Sequence, residues 1–278
     1  AAGSLFMFWG GACSGTSCTV TMDSPKTVTA TFAPNKADLI VTMASMSWPA
    51  ATPGTQFSAG DTVLNQGGVT SATSTTRYYL SLDTVKDASD RLLTGTRAVP
   101  ALAFGSNSSG NVVVTIPTST PLGTYFLLAC ADDTAHVVES NEANNCLAST
   151  TTILVTRPDL LETSLSAPPP SVVRGTSFSV TDTVQNQGGL AAGASTTRYF
   201  LSTNQVKDGN DRLIGSRSVP ALEVTQTSTA TATVTVPSNM TPGAYYLIAC
   251  ADNVGNVTEI DETNNCLASD TTVQVTAP

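Results

Sequence analysis

The chain has 278 residues, of which only 12% are charged, 41% hydrophobic and 6% aromatic, with 20 glycines and 15 prolines punctuating runs rich in Thr, Ser, Val and Ala. That composition excludes a disordered tail and a helical bundle and leaves room for two ordinary domains plus a fragment. Twelve basic residues against 21 acidic ones give a net charge of −9, which repels a phosphate backbone, and a single histidine, His136, removes most histidine-based metal and nucleophile chemistry.

No run approaches the roughly 20 apolar residues that span a bilayer, so neither membrane insertion nor nucleic-acid binding is expected. In chain order, residues 1–36 come first, with Phe6, Phe8 and Trp9 ahead of Gly10-Gly11 and a close pair, Cys13 and Cys18; Thr27 to Phe32 then alternates as a strand should. Some thirty residues bury little apolar surface alone. This partial β segment is therefore either the end of a domain that begins upstream or a unit that borrows strands from a neighbour.

From residue 37 the chain repeats itself with a period of about 120 residues, the length of a whole domain rather than of a solenoid unit. Copy one spans 37–156 and copy two 157–278. Ala37-Asp38-Leu39 is answered by Pro158-Asp159-Leu160, Asn65-Gln66-Gly67-Gly68 by Asn186-Gln187-Gly188-Gly189, and Thr75-Thr76-Arg77-Tyr78-Tyr79-Leu80-Ser81 by Thr196-Thr197-Arg198-Tyr199-Phe200-Leu201-Ser202. Val112 to Ile116 and Ala230 to Val236 read as amphipathic strands ended by Pro117 and Pro237, while Tyr125 to Ala131 and Tyr245 to Ala251 are continuous enough to be central strands. The paired glycines suit positive φ in a loop. Alternation turns one of each aromatic pair (Tyr78, Tyr79; Tyr199, Phe200) into a core, which outweighs sugar stacking, and Arg77 and Arg198 are placed to pair with a carboxylate across the sheet. The expectation is all-β, with about seven strands per copy in tandem sandwiches. The short linkers Ala33 to Lys36 and Val155 to Pro158 each hold a proline, which favours a semi-rigid rod.

The cysteines fall in near pairs, Cys13 with Cys18, Cys130 with Cys146 and Cys250 with Cys266, without zinc spacing or histidines to complete a site. Three disulfides and an oxidising, extracellular home are expected. The strongest candidate site is acidic. Asp132, Glu139, Glu142, Asn144 and Asn145 lie on the hairpin closed by Cys130 and Cys146, with Asp87 and Asp90 on another loop; copy two repeats them at Asp252, Glu259, Glu262, Asn264, Asn265, Asp208 and Asp211. Carboxylate and amide oxygens are calcium's ligands, so calcium is the one cofactor to weigh, although none is required. The competing expectation is that these Asp and Asn side chains cap turns while the glutamates face water. Asp87-x-x-Asp90 is not an EF-hand, no cleft flanked by carboxylates is implied, and His136 has Asn256 as its counterpart, so no catalytic set belongs to the repeat and no enzyme is expected.

The opening Asp-Leu, the Asn-x-Gly-Gly block, the Arg-Tyr-Tyr/Phe-Leu-Ser strand, the Asp-x-x-Asp loops and the Glu-x-x-Glu-x-Asn-Asn signatures at Glu139 to Asn145 and Glu259 to Asn265 together resemble CARDB, the cell-adhesion-related domain of bacteria, across residues 37–278. The resemblance implies immunoglobulin-like sandwiches in an extracellular adhesive or spacer role. Residues 5–32, with Trp9 before Gly10-Gly11 and Cys13 and then Thr19-Val20-Thr21-Met22-Asp23, resemble the second half of a divergent InlB B-repeat, a bacterial surface repeat. The expected function is a stalk or spacer of a bacterial surface or secreted protein. Its partners would be further copies of itself or other surface proteins and glycans. Two alternatives stand beside it: a filament protomer assembled by β-strand addition, and a carbohydrate-binding accessory to a secreted hydrolase.

Overall fold

The structure, a computed structural model, describes residues 3–278. The chain divides into two compact units, with the boundary in sequence between Val155 and Thr156. The first opens with an antiparallel ribbon, β1 (Ser4–Gly11) and β2 (Val28–Pro34), whose long connection is pinned by a Cys13–Cys18 disulfide. Phe6 packs on Trp9 at 5.2 Å and on Phe32 at 5.7 Å between ring centroids, while Phe8 and Phe32 stay exposed.

The rest of that unit is a sandwich. One layer orders β3 (Leu39–Met46), β5 (Gln56–Asn65) and β9 (Asn107–Thr115) as β3-β5-β9; the other uses β4 (Ala50–Ala51), β6 (Ser74–Ser81), β7 (Arg91–Leu92), β8 (Arg97–Val99), β10 (Gly123–Cys130) and β11 (Cys146–Val155) in the order β4-β11-β10-β6-β7, with β8 also on β6. Leu39, Val63, Tyr78, Leu80, Val114, Ile116, Leu127 and Ile153 fill the space between the layers. Pro49 explains why the first strand changes layers. With no N–H to give, it ends the β3 ladder, and its carbonyl instead accepts from Leu154 N at 2.8 Å, so β4 joins β11 in parallel.

The second unit repeats the plan. β12 (Leu160–Leu165), β14 (Ser177–Asn186) and β17 (Thr227–Thr235) form one layer; β13 (Ser171–Val173), β15 (Ser195–Ser202), β16 (Arg212–Val219), β18 (Gly243–Cys250) and β19 (Cys266–Thr276) form the other as β13-β19-β18-β15-β16. Val180, Tyr199, Leu201, Val234, Leu247 and Val273 lie at its centre. At the corner before the central strand, Tyr125 Oη donates to Pro121 O at 3.0 Å and Tyr245 Oη to Thr241 O at 2.9 Å, the tyrosine corner of immunoglobulin-like folds.

The all-β, immunoglobulin-like expectation holds, with three differences in detail. Nine strand segments in the first sandwich and eight in the second replace the expected seven, because the switch strands β4 and β13 are separate pieces. In copy one a left-handed Gly95 (φ 107°) also splits into β7 and β8 what copy two keeps as β16. Gly67 and Gly188 are not in the positive-φ region; a Cβ there would meet backbone atoms of residues 36–38 and 157–159 at 2.2–2.5 Å, so close approach is what requires glycine. Finally, both aromatics of each pair are buried: Tyr79 and Phe200 turn away from the sandwich core yet pack on Leu128 and Cys130 or on Ile248 and Cys250, beneath Lys86 and Lys207 held 4.2 and 4.3 Å above the rings.

Candidate functional site

The scattered sequence signatures of each copy converge on one pole of its sandwich. Cys130 and Cys146 are directly opposite on β10 and β11, and their disulfide closes the loop that carries the acidic residues; Cys250 and Cys266 do the same on β18 and β19. From that loop Glu139, only 4% exposed, accepts from Leu39 N at 2.5 Å through Oε2 and from Asn145 Nδ2 at 3.2 Å through Oε1. Asn144 Nδ2 donates to Asp38 Oδ1 at 3.1 Å, and Gln66 Nε2 to Asp38 Oδ2 at 3.1 Å. Asn65 Oδ1 takes the amides of Asp38 and Gly67. Copy two reproduces each bond: Leu160 N to Glu259 at 2.6 Å, Asn264 to Asp159 at 2.9 Å, Gln187 to Asp159 at 2.8 Å, and Asn186 to the amides of Asp159 and Gly188. The network thus fastens the point where the chain enters the sandwich to a loop about 100 residues later.

Within the loop, Asp132 Oδ2 accepts from Val137 N and Glu142 Oε1 from Glu139 N, with Asp252 and Glu262 in the same roles. Asp132 and Asp252 adopt left-handed backbone (φ 43° and 40°), which Asp tolerates better than most residues. Burial pushes the Glu139 carboxyl up to about 7; the Leu39 N–H opposes this, and the negative charges of Glu142, Asp132 and Asp38 add to it. Glu259 is likewise raised to about 7, by burial against the Leu160 N–H and then by Glu262, Asp252 and Asp159.

The Asp-x-x-Asp loops do not join this network. Asp87 accepts from Ser89, and Asp90 from Asp87 N at 2.8 Å; Asp208 accepts from Asn210 N, and Asp211 from Asp208 N at 2.7 Å, so each pair caps its own turn. Among the described residues, no three Asp, Glu, His or Cys side chains form a metal-holding group by themselves. His136 is exposed beside Thr73 to Thr75. Arg77 lies 3.7 Å from Asp133, a pairing that copy two, with Asn253 in place of Asp133, cannot make.

CARDB matches residues 36–149 and again 157–269, which together make up most of the chain. The chain belongs to the CARDB family. It therefore carries two domains of an adhesion-related family, and the Asp-Leu, Asn-x-Gly-Gly and Glu-x-x-Glu-x-Asn-Asn signatures are the network just described. Among solved structures, the CARDB domain of a Pyrococcus furiosus protein, determined in complex with di-metal ions, is 22% identical, with a TM-score of 0.32 over 43% of this chain and 90% of that one. Red sea bream transglutaminase is 14% identical (TM-score 0.27, 86% of this chain and 32% of that one). A Listeria innocua β-glucosidase in complex with isofagomine is 17% identical (TM-score 0.29, 51% and 19%). No curated protein matches.

Each CARDB sandwich also hides an ion pair absent from the sequence expectations. Asp61, fully buried, takes both Nε (2.7 Å) and Nη2 of Arg97 and the hydroxyl of Tyr78; Asp182 takes Arg217 at 2.6–3.0 Å and Tyr199 Oη at 2.5 Å. Copy two adds Glu162 where copy one has the apolar Val41. Glu162 accepts from Thr197 at 3.0 Å, but its Oε2 has no partner. Burial first, and then the charge of Asp182, holds its carboxyl far above the ordinary carboxylate range. An acid raised in the folded state contributes its full stability below the unfolded pKa and loses it as pH climbs toward the folded one. Glu162→Val should therefore stabilise the second sandwich by about 1–3 kcal/mol at neutral pH. The gain should shrink toward pH 4 and grow toward pH 8 in urea unfolding curves; a gain independent of pH would contradict this assignment.

Proposed function

We propose that the chain is an adhesive, load-bearing spacer segment of a bacterial surface or secreted protein, acting outside the cell and turning over no substrate. The observation that carries this reading is the parallel pairing of β4 with β11 and of β13 with β19. A sandwich whose first and last strands run in parallel takes the chain in at one pole and releases it at the other. Tension between its ends then shears this short parallel ladder, two residue pairs long in the first sandwich and three in the second, loading its hydrogen bonds together instead of opening them one by one. The network at the entering pole adds fastening where tension arrives. Three disulfides and no free cysteine suit an oxidising exterior. Pulling single molecules by their termini should give abrupt, separate unfolding steps, one per sandwich, each shortened by the segment locked between its cysteines. Gradual unravelling at low load would contradict the reading.

One observation favours assembly as a second reading. The β1–β2 ribbon, the part that resembles a B-repeat, forms a sheet of two strands only and leaves Phe8 43% and Phe32 58% exposed. Such a ribbon is marginal by itself, and a strand added from a neighbouring molecule would extend it into a filament. Size-exclusion chromatography with negative-stain microscopy should then show concentration-dependent fibres, and a strict monomer would end this reading.

A further inference from the structure

Beside each cross-strand disulfide the acidic loop leaves a cleft. In copy one it is lined by Asp132, Glu142 and Asn145 together with the cysteines, and in copy two by Asp252, Glu262 and Asn265. Asn145 (8% exposed) and Asn265 (7%) both leave Oδ1 buried without a hydrogen-bond partner, as does Asp132 (2%). An unpartnered buried oxygen is costly, and finding the amide oxygen orphaned at the same place in both copies points to something that satisfies it. The neighbouring groups are carboxylates: Glu142 and Glu262 use one oxygen on the loop's own backbone and are otherwise exposed. Lys86 and Asp133 complete the rim in copy one, whereas the lining in copy two includes no basic residue.

We propose that each cleft binds a calcium ion, through Asp132, Glu142 and Asn145 in the first sandwich and through Asp252, Glu262 and Asn265 in the second. Oxygen-only donors of mixed carboxylate and amide type, on an irregular loop, suit calcium's flexible shell, and backbone carbonyls and water make up the remainder. This set is narrower than the one the sequence suggested, because Glu139, Asn144, Glu259 and Asn264 do not line the clefts and Asp87, Asp90, Asp208 and Asp211 cap turns. Two carboxylates per site imply weak binding, with Kd of about 10⁻⁴ to 10⁻³ M, the range of extracellular modules. Bound calcium would stiffen the loop that holds the entering chain, a role that goes beyond the spacer reading and fails or stands separately from it.

The test is calorimetric titration of the full chain with calcium chloride at pH 7.5, together with melting curves in 10 mM calcium chloride and in magnesium chloride of equal concentration. Two sites and a rise in melting temperature of about 4 °C, specific to calcium, are expected. The Glu142→Gln/Glu262→Gln double variant, whose amide oxygen can still accept from the loop backbone, should lose most of that rise; Asn145→Ser/Asn265→Ser should weaken binding likewise. Absent heat with an unchanged melting temperature, an equal shift in magnesium, or a shift that survives in both double variants would overturn the proposal.

Discussion

Replacing Arg97 by methionine should cost the first sandwich about 3–5 kcal/mol, the largest single-residue effect expected in this chain. The size follows from what is left behind. Asp61 is fully buried on β5, its two oxygens held by the fork of Arg97 and by the Tyr78 hydroxyl; without the guanidinium it must remain charged in an apolar interior or take up a proton. Arg97 also donates to Ser108 O and Oγ, so those acceptors lose a partner too. The cost belongs to breaking the pair rather than to the pair's own worth. Asp61→Leu added to Arg97→Met should therefore recover a large part of the loss, the remainder reflecting the orphaned Tyr78 hydroxyl. Chemical denaturation of the two variants decides this, and a double variant as unstable as Arg97→Met alone would contradict it. Arg217 on β16 should behave in the same way in the second sandwich.

Removing the Cys130–Cys146 bridge by substituting alanine at both positions should cost about 3 kcal/mol, from the entropy regained by an unfolded chain no longer closed over roughly 15 residues. The cysteines are directly opposite on adjacent strands, so the ladder supplies their alignment, and the loss falls chiefly on the loop they close. That loop carries Glu139, Asn144 and Asn145, so its loosening should also release the network that holds Leu39 and Asp38. The corresponding change at Cys250 and Cys266 should match it, whereas Cys13 and Cys18, only five residues apart, close a short loop and should matter less. Urea midpoints for the paired variants provide the comparison; equal, negligible losses at all three bridges would contradict it.

Much of this fold was legible because the chain states it twice. The Arg-Tyr-Tyr/Phe-Leu-Ser blocks, the alternating runs ended by Pro117 and Pro237, and the cysteine pairs became strands or bridges at the expected places. The buried ion pair was missed although it left a trace: Asp61 falls in phase with the inward Phe57, Ala59 and Val63, and Asp182 with Val180 and Val184, an acid in a core position in both copies. Alternation identifies such a position but not its partner, since Arg97 lies 36 residues on and becomes a neighbour only through sheet order. The roles of the acidic signatures were hidden for a related reason. Glu139 and Leu39 meet only once the sandwich closes, and no local spacing separates a glutamate that faces water from one that holds a distant backbone amide. The Asp87 and Asp208 turns, whose bonds are local, behave as their own residues suggest.

These signatures fasten the entering chain to the disulfide-closed loop. Native-state hydrogen exchange at the amides of Leu39 and Leu160 tests this most directly. Donation to the buried Glu139 and Glu259 predicts protection comparable to that of central-strand amides such as Leu127 and Leu247, with Glu139→Ala and Glu259→Ala removing it. Exchange at Leu39 and Leu160 as fast as in the exposed turns at 83–90 and 204–211 would contradict it.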